Sequence, residues 1–497
     1  VTPAVPLGRL AAALPGVRAP DADPPITGIS FDTRAVRPGH LFVALAGRSA
    51  DGHALLADAV RAGAAAVVVE RAPEADPGVP VVRVPDTRRA LAGVAAAWHG
   101  HPAGRLRLAG ITGTVGKSTT LLMLEAAFGA AARPLGTVGS FGVRVGGAGP
   151  ETGFTVPDAL TLHAAFAGFV RAGCADAAME VTTHALDQGR VHGLVFDLGV
   201  WTNLLPLEHR DYHGSFRAYV EVKRRFLDQL RPRAPLVHRA GDRAVAGLLE
   251  GRALRPVSCG AGGAGDVEVR TLAVDAGGTR FLLAPRRPLP GVDAVPPALE
   301  VEMRLLGAAA VQNASLAAVA ALALGVPGDA VARGLAALSP PRRRLEVVQA
   351  GDVTVVDDNA YHPAGVGALF DTVRTLRPRA LRVLYGVRGG RGAEVNAHTA
   401  TALATWLPGF PLARLVVTRC EGSAAPRDLV ADAEHAAFLA PLRRAGLPVD
   451  EVPRLDDAVE RVLDGAGPGD VVLLLGAQGM DRAAELARAL LAADPRT

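Results

Sequence analysis

Apolar positions in the first hundred residues fall into short blocks separated by polar or alanine-rich stretches. The runs LFVAL at 41–45, AAAVVVE at 64–70 and VPVVRVP at 79–85 predict strands, and the helically spaced stretches at 54–62 and 88–99 predict helices. HPAG at 101–104 punctuates the chain, and RLRLAGIT then predicts a strand, a glycine-rich turn and a helix from about Ser118 to Ala131. AAMEV at 177–181 and DLGVWTNL at 197–204 continue the alternation, so a mainly parallel sheet is expected. The glycine-rich CGAGGAGD at 259–266 is expected to be a surface loop. After the tandem prolines that follow Ser339, VTVVDD, ALRVLYG, ARLVVT and DVVLLLG alternate with helical patterns at 364–376, 396–406 and from about Asp481, a Rossmann-type order. The expected class is α/β in three domains, 1–102, 103–338 and 339–497, which suits 497 residues at roughly 150 per domain.

Composition narrows the class. Apolar residues at 49% and charged residues at 21% exclude a disordered, collagenous or coiled-coil chain. Charges, glycines and prolines break every apolar run before membrane-span length, and the N-terminus lacks the pattern of a secretory leader, so a cytoplasmic protein is expected. Cys174, Cys259 and Cys420 lack metal-ligand or disulfide spacing and are expected as buried or incidental thiols. A net charge of +4, with arginine clusters such as Arg342 to Arg344 lacking interleaved aromatics, argues against a nucleic-acid partner. Trp98, Trp201 and Trp406 are expected in cores, and His192 and His213 at the surface or behind a site.

Positive charge is carried almost wholly by arginine: the chain has two lysines, Lys117 and Lys223, and four asparagines, Asn203, Asn313, Asn359 and Asn396. Lysines that survive such a bias point to chemistry a guanidinium cannot perform, since only the ammonium is a compact charge that can also lose its proton and act as a nucleophile.

Lys117 lies in GITGTVGKSTT at 110–120, between a predicted strand and a predicted helix, where backbone N–H groups and the helix dipole bind phosphate. Gly113 and Gly116 keep the turn free of side chains, Lys117 is placed for the β- and γ-phosphates, and Ser118 for magnesium. The longer G-x-x-x-x-G-K spacing fails at Ile111, so this is a variant P-loop, compatible with a kinase, switch, motor or ligase. Glu180 ends an apolar strand, where a carboxylate can serve a magnesium ion. Downstream, WTNLLPLEHRDYHG supplies Asn203, His209 and His213, and YVEVK supplies Lys223.

Over nearly its whole length the sequence resembles the Mur ligase family, and within it the MurE-type branch that extends UDP-N-acetylmuramoyl-L-alanyl-D-glutamate. SFDTRAVRPGHLFVALAGRSADGH is similar to the family's uridine-nucleotide segment, with Thr33 and Arg34 at the matching positions. GTVGKST resembles GTNGKT, MEVTTHALDQGRV resembles MEVSSHAL…RV, and DYHGSFRAYVEVKRRF resembles DYHGT…Y..AK..LF. The resemblance implies an ATP- and magnesium-dependent ligase in which a carboxylate attacks the γ-phosphate and an amine then displaces phosphate from the acyl phosphate. It implies catalytic roles for Lys117, Glu180, His209 and Lys223, with Lys223 carbamylated by carbon dioxide, and magnesium held by Ser118, Glu180, His209 and carbamylated Lys223. Gly113, Thr114, Gly116, Lys117, Ser118, Thr119, Asn313, Arg344 and Asp358 would contact ATP. Thr33, Arg34, Thr155, Thr182, Thr183, Arg190 and His362 would contact the UDP-sugar peptide or amino acid. A monomer acting on small molecules is expected.

Departures from the family concern substrates. Val115 replaces the usual Asn, Thr155-Val156-Pro157 replaces TTP, one extra residue separates Asn203 from His209, and GAAAVQN replaces GRFNVYN. VDDNAYHP at 356–363 is nearer the DDYGHHP of the alanine-adding branch than VDYAHTP, YGVRGGRGAEVN replaces FGCGGDRDRGKR, and LLGAQGMD replaces the GKGHE signature. TRCEGSAAPRD lacks the DNPR motif that reads diaminopimelate, so that substrate is not supported. Two alternatives remain: a ligase of this scaffold acting on another carboxylate and amine, and a non-catalytic ATP-binding relative.

Overall fold

The computed structural model describes the chain except residues 1–3, 18–20, 48–50, 151–152, 206–213, 264, 291–296, 341, 362, 477 and 494–497. It divides into two compact units, one of Val1–Glu268, Ala284–Pro297 and Asn313–Gly334, the other of Val269–Leu283, Ala298–Gln312 and Leu335–Thr497.

The first unit begins with a four-stranded parallel sheet, Gly28–Ser30, His40–Val43, Ala64–Val69 and Val81–Arg83 in that spatial order. Its apolar runs are buried on both faces, Leu41, Val43, Ala66 and Val68 packing on one side and Phe42, Val67 and Val69 on the other. That explains why they read as continuous rather than alternating. Helix Thr87–Trp98 covers one face and starts where the Asp86 carboxylate accepts the Arg89 N–H.

The second sheet of this unit runs, from its antiparallel edge, Gly142–Val145, Leu135–Gly139, Asp176–Glu180, Arg107–Thr112, Leu198–Trp201, Pro235–Arg239 and Arg255–Gly260, parallel after the first pair. Arg107–Thr112 is central, so its carboxyl end opens between two neighbouring strands, the position where α/β sheets bind ligands. The expected loop at 259–266 is shorter than the sequence suggested. Cys259 and Gly260 complete the strand Arg255–Gly260 and pair with Val267 and Glu268, because an apolar register outweighs local glycine content.

In the second unit a six-stranded sheet runs Glu346–Gln349, Val353–Asp358, Asp470–Gly476, Ala380–Gly386, Leu412–Thr418 and Asp450–Glu451, parallel except for its first pair. The last long strand in sequence inserts between two earlier ones. Helices Pro363–Thr375, Ala393–Trp406 and Asp432–Arg444 accompany one apolar layer, and Leu455–Leu463 and Ala483–Ala493 the other. Buried Asp470 takes Arg382 and Arg379 as partners at 3.1 Å each, which satisfies a carboxylate inside the sheet. The strands Gly278–Pro285 and Leu299–Met303 pair antiparallel.

Trp201 is fully buried, while Trp98 and Trp406 pack partly buried against core clusters. The three cysteines are buried and free. Among the described residues no helix is long and apolar enough to cross a membrane.

Candidate active site

The turn at 113–116 leaves the central strand and enters helix Lys117–Ala130 through Gly116, whose φ of +88° suits glycine. A side chain there would also collide with Asn313, its Cβ lying 2.5 Å from Oδ1, so Gly116 and Asn313 are in close approach. Gly113, at φ +142°, is equally confined: a Cβ would sit 1.9 Å from Thr202 Oγ1. The first turn of the helix presents N–H groups that no intrahelical carbonyl can accept, the anion-binding end of a helix.

Asn203 braces this turn from the neighbouring strand. Its Oδ1 accepts the N–H groups of Thr114 and Val115 at 3.2 and 3.0 Å, and its Nδ2 donates to Val115 O at 3.0 Å. Thr114 is buried, its hydroxyl 3.1 Å from Tyr219 OH and accepting the Leu205 N–H at 2.9 Å. Thr114 therefore anchors the loop through its side chain, and Val115 is its exposed tip.

Both lysines converge on one carbonyl. Lys117 Nζ donates to Gly113 O at 3.0 Å and Thr114 O at 2.8 Å. Lys223 Nζ donates to Gly113 O at 2.8 Å and Thr112 Oγ1 at 3.3 Å, and lies 5.2 Å from the Tyr219 ring centre. Lys223 is 1% exposed, held by helix Phe216–Arg224, which Ser215 caps through the Ala218 N–H.

Beside the helix start, Ser118 Oγ lies 3.1 Å from Ser140 Oγ, which lies 3.1 Å from Thr155 Oγ1. The buried Glu180 carboxylate accepts the Ser140 N–H at 2.7 Å. Three hydroxyls and a carboxylate form an all-oxygen donor set of the type a hard cation such as magnesium takes. Ser140 escaped sequence reading because it follows a glycine at a strand end with no motif of its own.

Past Glu180, the Thr182 side chain caps helix Thr183–Asp187 by accepting the Ala185 N–H at 3.2 Å, and Thr183 is buried. Arg190 donates to Val156 O, next to Thr155, and to Gln188 Oε1, and lies over the exposed Phe154 ring. Thr119 is half-buried in the helix's first turn. Thr33 and Arg34 occupy a short turn in the N-terminal sheet, where Arg34 pairs with Asp32 at 2.7 Å and stays largely exposed. No hydrogen bond or ion pair joins them to the P-loop group among the described residues. His209, His213 and His362 lie outside the described residues.

In the second unit, exposed Arg344 follows buried Arg343, which binds Asp357, Asp481 and the Gly476 carbonyl. Asp358 accepts the Leu345 N–H at 2.7 Å. Burial, opposed by the neighbouring arginines, pushes the Asp357 carboxyl up to about 6 and that of Asp358 up to about 7.

Comparison with known families identifies the chain. Mur ligase profiles match residues 25–99 (Mur ligase family, catalytic domain), 111–322 (Mur ligase middle domain) and 343–478 (Mur ligase, glutamate ligase domain). The chain belongs to the Mur ligase family. It is 32% identical over 470 residues to the UDP-N-acetylmuramoyl-L-alanyl-D-glutamate–2,6-diaminopimelate ligase of Geobacillus thermodenitrificans, covering 91% of this chain and 90% of the other. The enzyme of the same name from Xanthomonas campestris pv. campestris is 32% identical over 471 residues, covering 91% and 89%. A solved structure of a ligase of that name aligns with a TM-score of 0.71 over 98% of this chain and 99% of the other, at 21% identity, which shows a shared fold. The Mur ligase architecture accounts for the central nucleotide-binding sheet and the Rossmann-like C-terminal sheet.

Proposed function

We propose that this Mur ligase joins an amino acid to a carboxylate of UDP-N-acetylmuramoyl-L-alanyl-D-glutamate, with ATP cleaved to ADP and phosphate, in peptidoglycan precursor synthesis. The observation that carries the reading is the meeting of the chain's two lysines at the Gly113 carbonyl, below a loop built to receive phosphates. The reading keeps three functional parts: 1–102 for the uridine nucleotide, 103–338 for ATP, 339–497 for the amino acid. It also makes the protein a cytoplasmic monomer.

The acceptor carboxylate attacks the γ-phosphorus, ADP leaves, and the amine then attacks the acyl carbon and expels phosphate. Backbone N–H groups at 116–118 and Lys117 hold the β- and γ-phosphates in line. Ser118, Ser140 and Glu180, joined by His209 and carbamylated Lys223, are the side chains for magnesium, which when bound neutralises charge on the transferring phosphoryl group. Asn313, Arg344 and Asp358 serve the nucleotide, Thr33, Arg34, Thr155, Thr182, Thr183 and Arg190 the UDP-sugar peptide, and His362 the substrates of the C-terminal part.

The test is phosphate release from ATP with the UDP-linked acceptor and single amino acids, diaminopimelate included, with product masses read. Release that needs acceptor and one amino acid, with the matching mass gain, supports the reading and names the amine. ATP binding without turnover on any amine rejects it. Bicarbonate-dependent recovery of activity in carbon-dioxide-depleted buffer is the expected signature of carbamylated Lys223.

A further inference from the structure

Helix Ala159–Arg171 of the first unit bridges two cores. Ala159 and Leu160 pack with the core of the N-terminal sheet, whereas Leu162, Phe166 and Phe169 pack with the core of the sheet that carries the P-loop. The helix lies against Thr87–Trp98 of the N-terminal part and against the turn Pro102–Arg105, which leads into the P-loop strand Arg107–Thr112. It therefore clamps the joint between the two sheets. The joint turns at Gly100 and His101, whose φ values are +70° and +54°, and the His101 N–H donates to Ala96 O at 2.7 Å.

His163 sits in this clamp, 3% exposed, and neither ring nitrogen has a hydrogen-bond partner among the described residues. Its ring meets Phe166 edge-on, the centres 5.9 Å apart. A neutral imidazole is tolerated in such a place, but a cation there needs a partner. None is at hand. Helix Thr87–Trp98 carries Arg88 and Arg89 and runs into His99, the following turn brings His101 and Arg105, and the helix of His163 itself ends at Arg171. The strand Leu135–Gly139, also packed on this helix, carries no titratable side chain. The two carboxylates at the helix starts, Asp86 and Asp158, are engaged as caps by the N–H groups of Arg89 and Leu160. Burial, reinforced by His99 and His101, holds the His163 ring down to about 4 from an ordinary 6.5, while burial and Arg171 lower His99.

We propose that the joint is a proton-sensitive latch: neutral His163 keeps helix Ala159–Arg171 closed on the segment 87–105, and a proton on its ring holds the joint open. Once exposed, the imidazole regains its ordinary proton affinity, so opening gains about tenfold per pH unit below 6.5 until the closed ring also titrates near 4. The latch does not depend on the ligase reading. Its test is hydrogen exchange on the full chain at pH 7.5 and 5.5, resolved by peptide and corrected for intrinsic rates. In the wild type, protection over 96–106 and 159–166 is expected to fall roughly tenfold between the two, while helix Lys117–Ala130 keeps its protection. His163→Leu, an apolar side chain in an apolar place, should remove most of the fall, and His99→Gln should keep most of it. His163→Met is the second variant where leucine impairs folding, with circular dichroism confirming that each variant folds. Level wild-type protection, a fall that survives both substitutions at 163, one carried mainly by His99, or one shared by the whole chain overturns the proposal.

Discussion

The P-loop at 113–118 of the first unit and the side-chain cluster around Arg388 of the second both follow the carboxyl ends of parallel strands, yet they are built in opposite ways. The P-loop takes its ligand-facing groups from one contiguous segment, with glycine demanded by backbone geometry at Gly116 and one lysine on the helix that follows. The cluster gathers Tyr361, Arg388 and Gln478 from three separate connections, the guanidinium lying 4.1 Å from the ring centre and donating to the amide oxygen at 3.2 Å. A loop whose function lies in its backbone leaves a readable spacing in sequence. A cluster assembled from side chains on distant strand ends leaves only isolated residues, and here it coincides with the departures from the family's motifs.

The largest effects are expected at the lysines. Lys117→Ala and Lys223→Arg should each lower ADP formation by about 100-fold or more, measured in single-turnover assays on folded protein. Full activity with arginine at 223 would show that charge alone suffices there and that no amine chemistry is used.

The next largest effect is expected at Glu434, whose carboxylate braces the turn after Arg388 by accepting the N–H groups of Gly390, Arg391 and Gly392, and also accepts the Ala431 N–H at 3.1 Å. Burial alone would raise its pKa, but the four backbone donors outweigh it and hold the group below the ordinary value of 4.5. Its contribution is therefore present above about pH 4.5 and lost as pH falls through the lower folded value. Glu434→Gln should cost about 1–3 kcal/mol in denaturant unfolding at pH 7, and that cost should shrink in acid.

Gly116→Ala sharpens the P-loop side. A side chain at φ +88°, pressed against Asn313, should cost about 1–2 kcal/mol locally, read by calorimetry as roughly tenfold weaker nucleotide binding. Wild-type affinity would mean the turn can shift, and that its spacing says less about binding than its geometry implies.

Asp358 adds a test read in the pH dependence of stability, since burial raises its pKa from 3.8 to about 7. A carboxyl raised by folding stabilises fully below its unfolded pKa, and that stability is lost as pH rises through the folded value. Asp358→Asn should melt like the wild type near pH 3 and increasingly above it as pH rises, levelling beyond about pH 7. An advantage that does not change with pH would remove the titration as its cause.

Much of the fold was legible because burial on both faces of parallel strands writes itself as short apolar runs, as in AAAVVVE at 64–70 and DVVLLLG at 470–476. At 259–266 glycine content suggests a loop throughout, but pairing with Val267 and Glu268 keeps Cys259 and Gly260 in a strand. The turn that carries Lys117 and Ser118 was legible because backbone geometry and the helix end dictate the residues around it. Asn203 was noticed without a role, since its three bonds to the P-loop cross between neighbouring strands. Ser140 was missed because its importance comes from Glu180 and Ser118, 40 and 22 positions away.

By itself, the sequence determined the α/β class, the glycine-rich turn between strand and helix and the scarcity of lysine, because these follow from periodicity, local backbone geometry and composition. Only the tertiary structure decided that both lysines share the Gly113 carbonyl, that Ser118, Ser140 and Glu180 meet, and that Arg388 is held over Tyr361. Those relations depend on the order of strands in a sheet, and neighbours across a sheet carry no fixed separation along the chain.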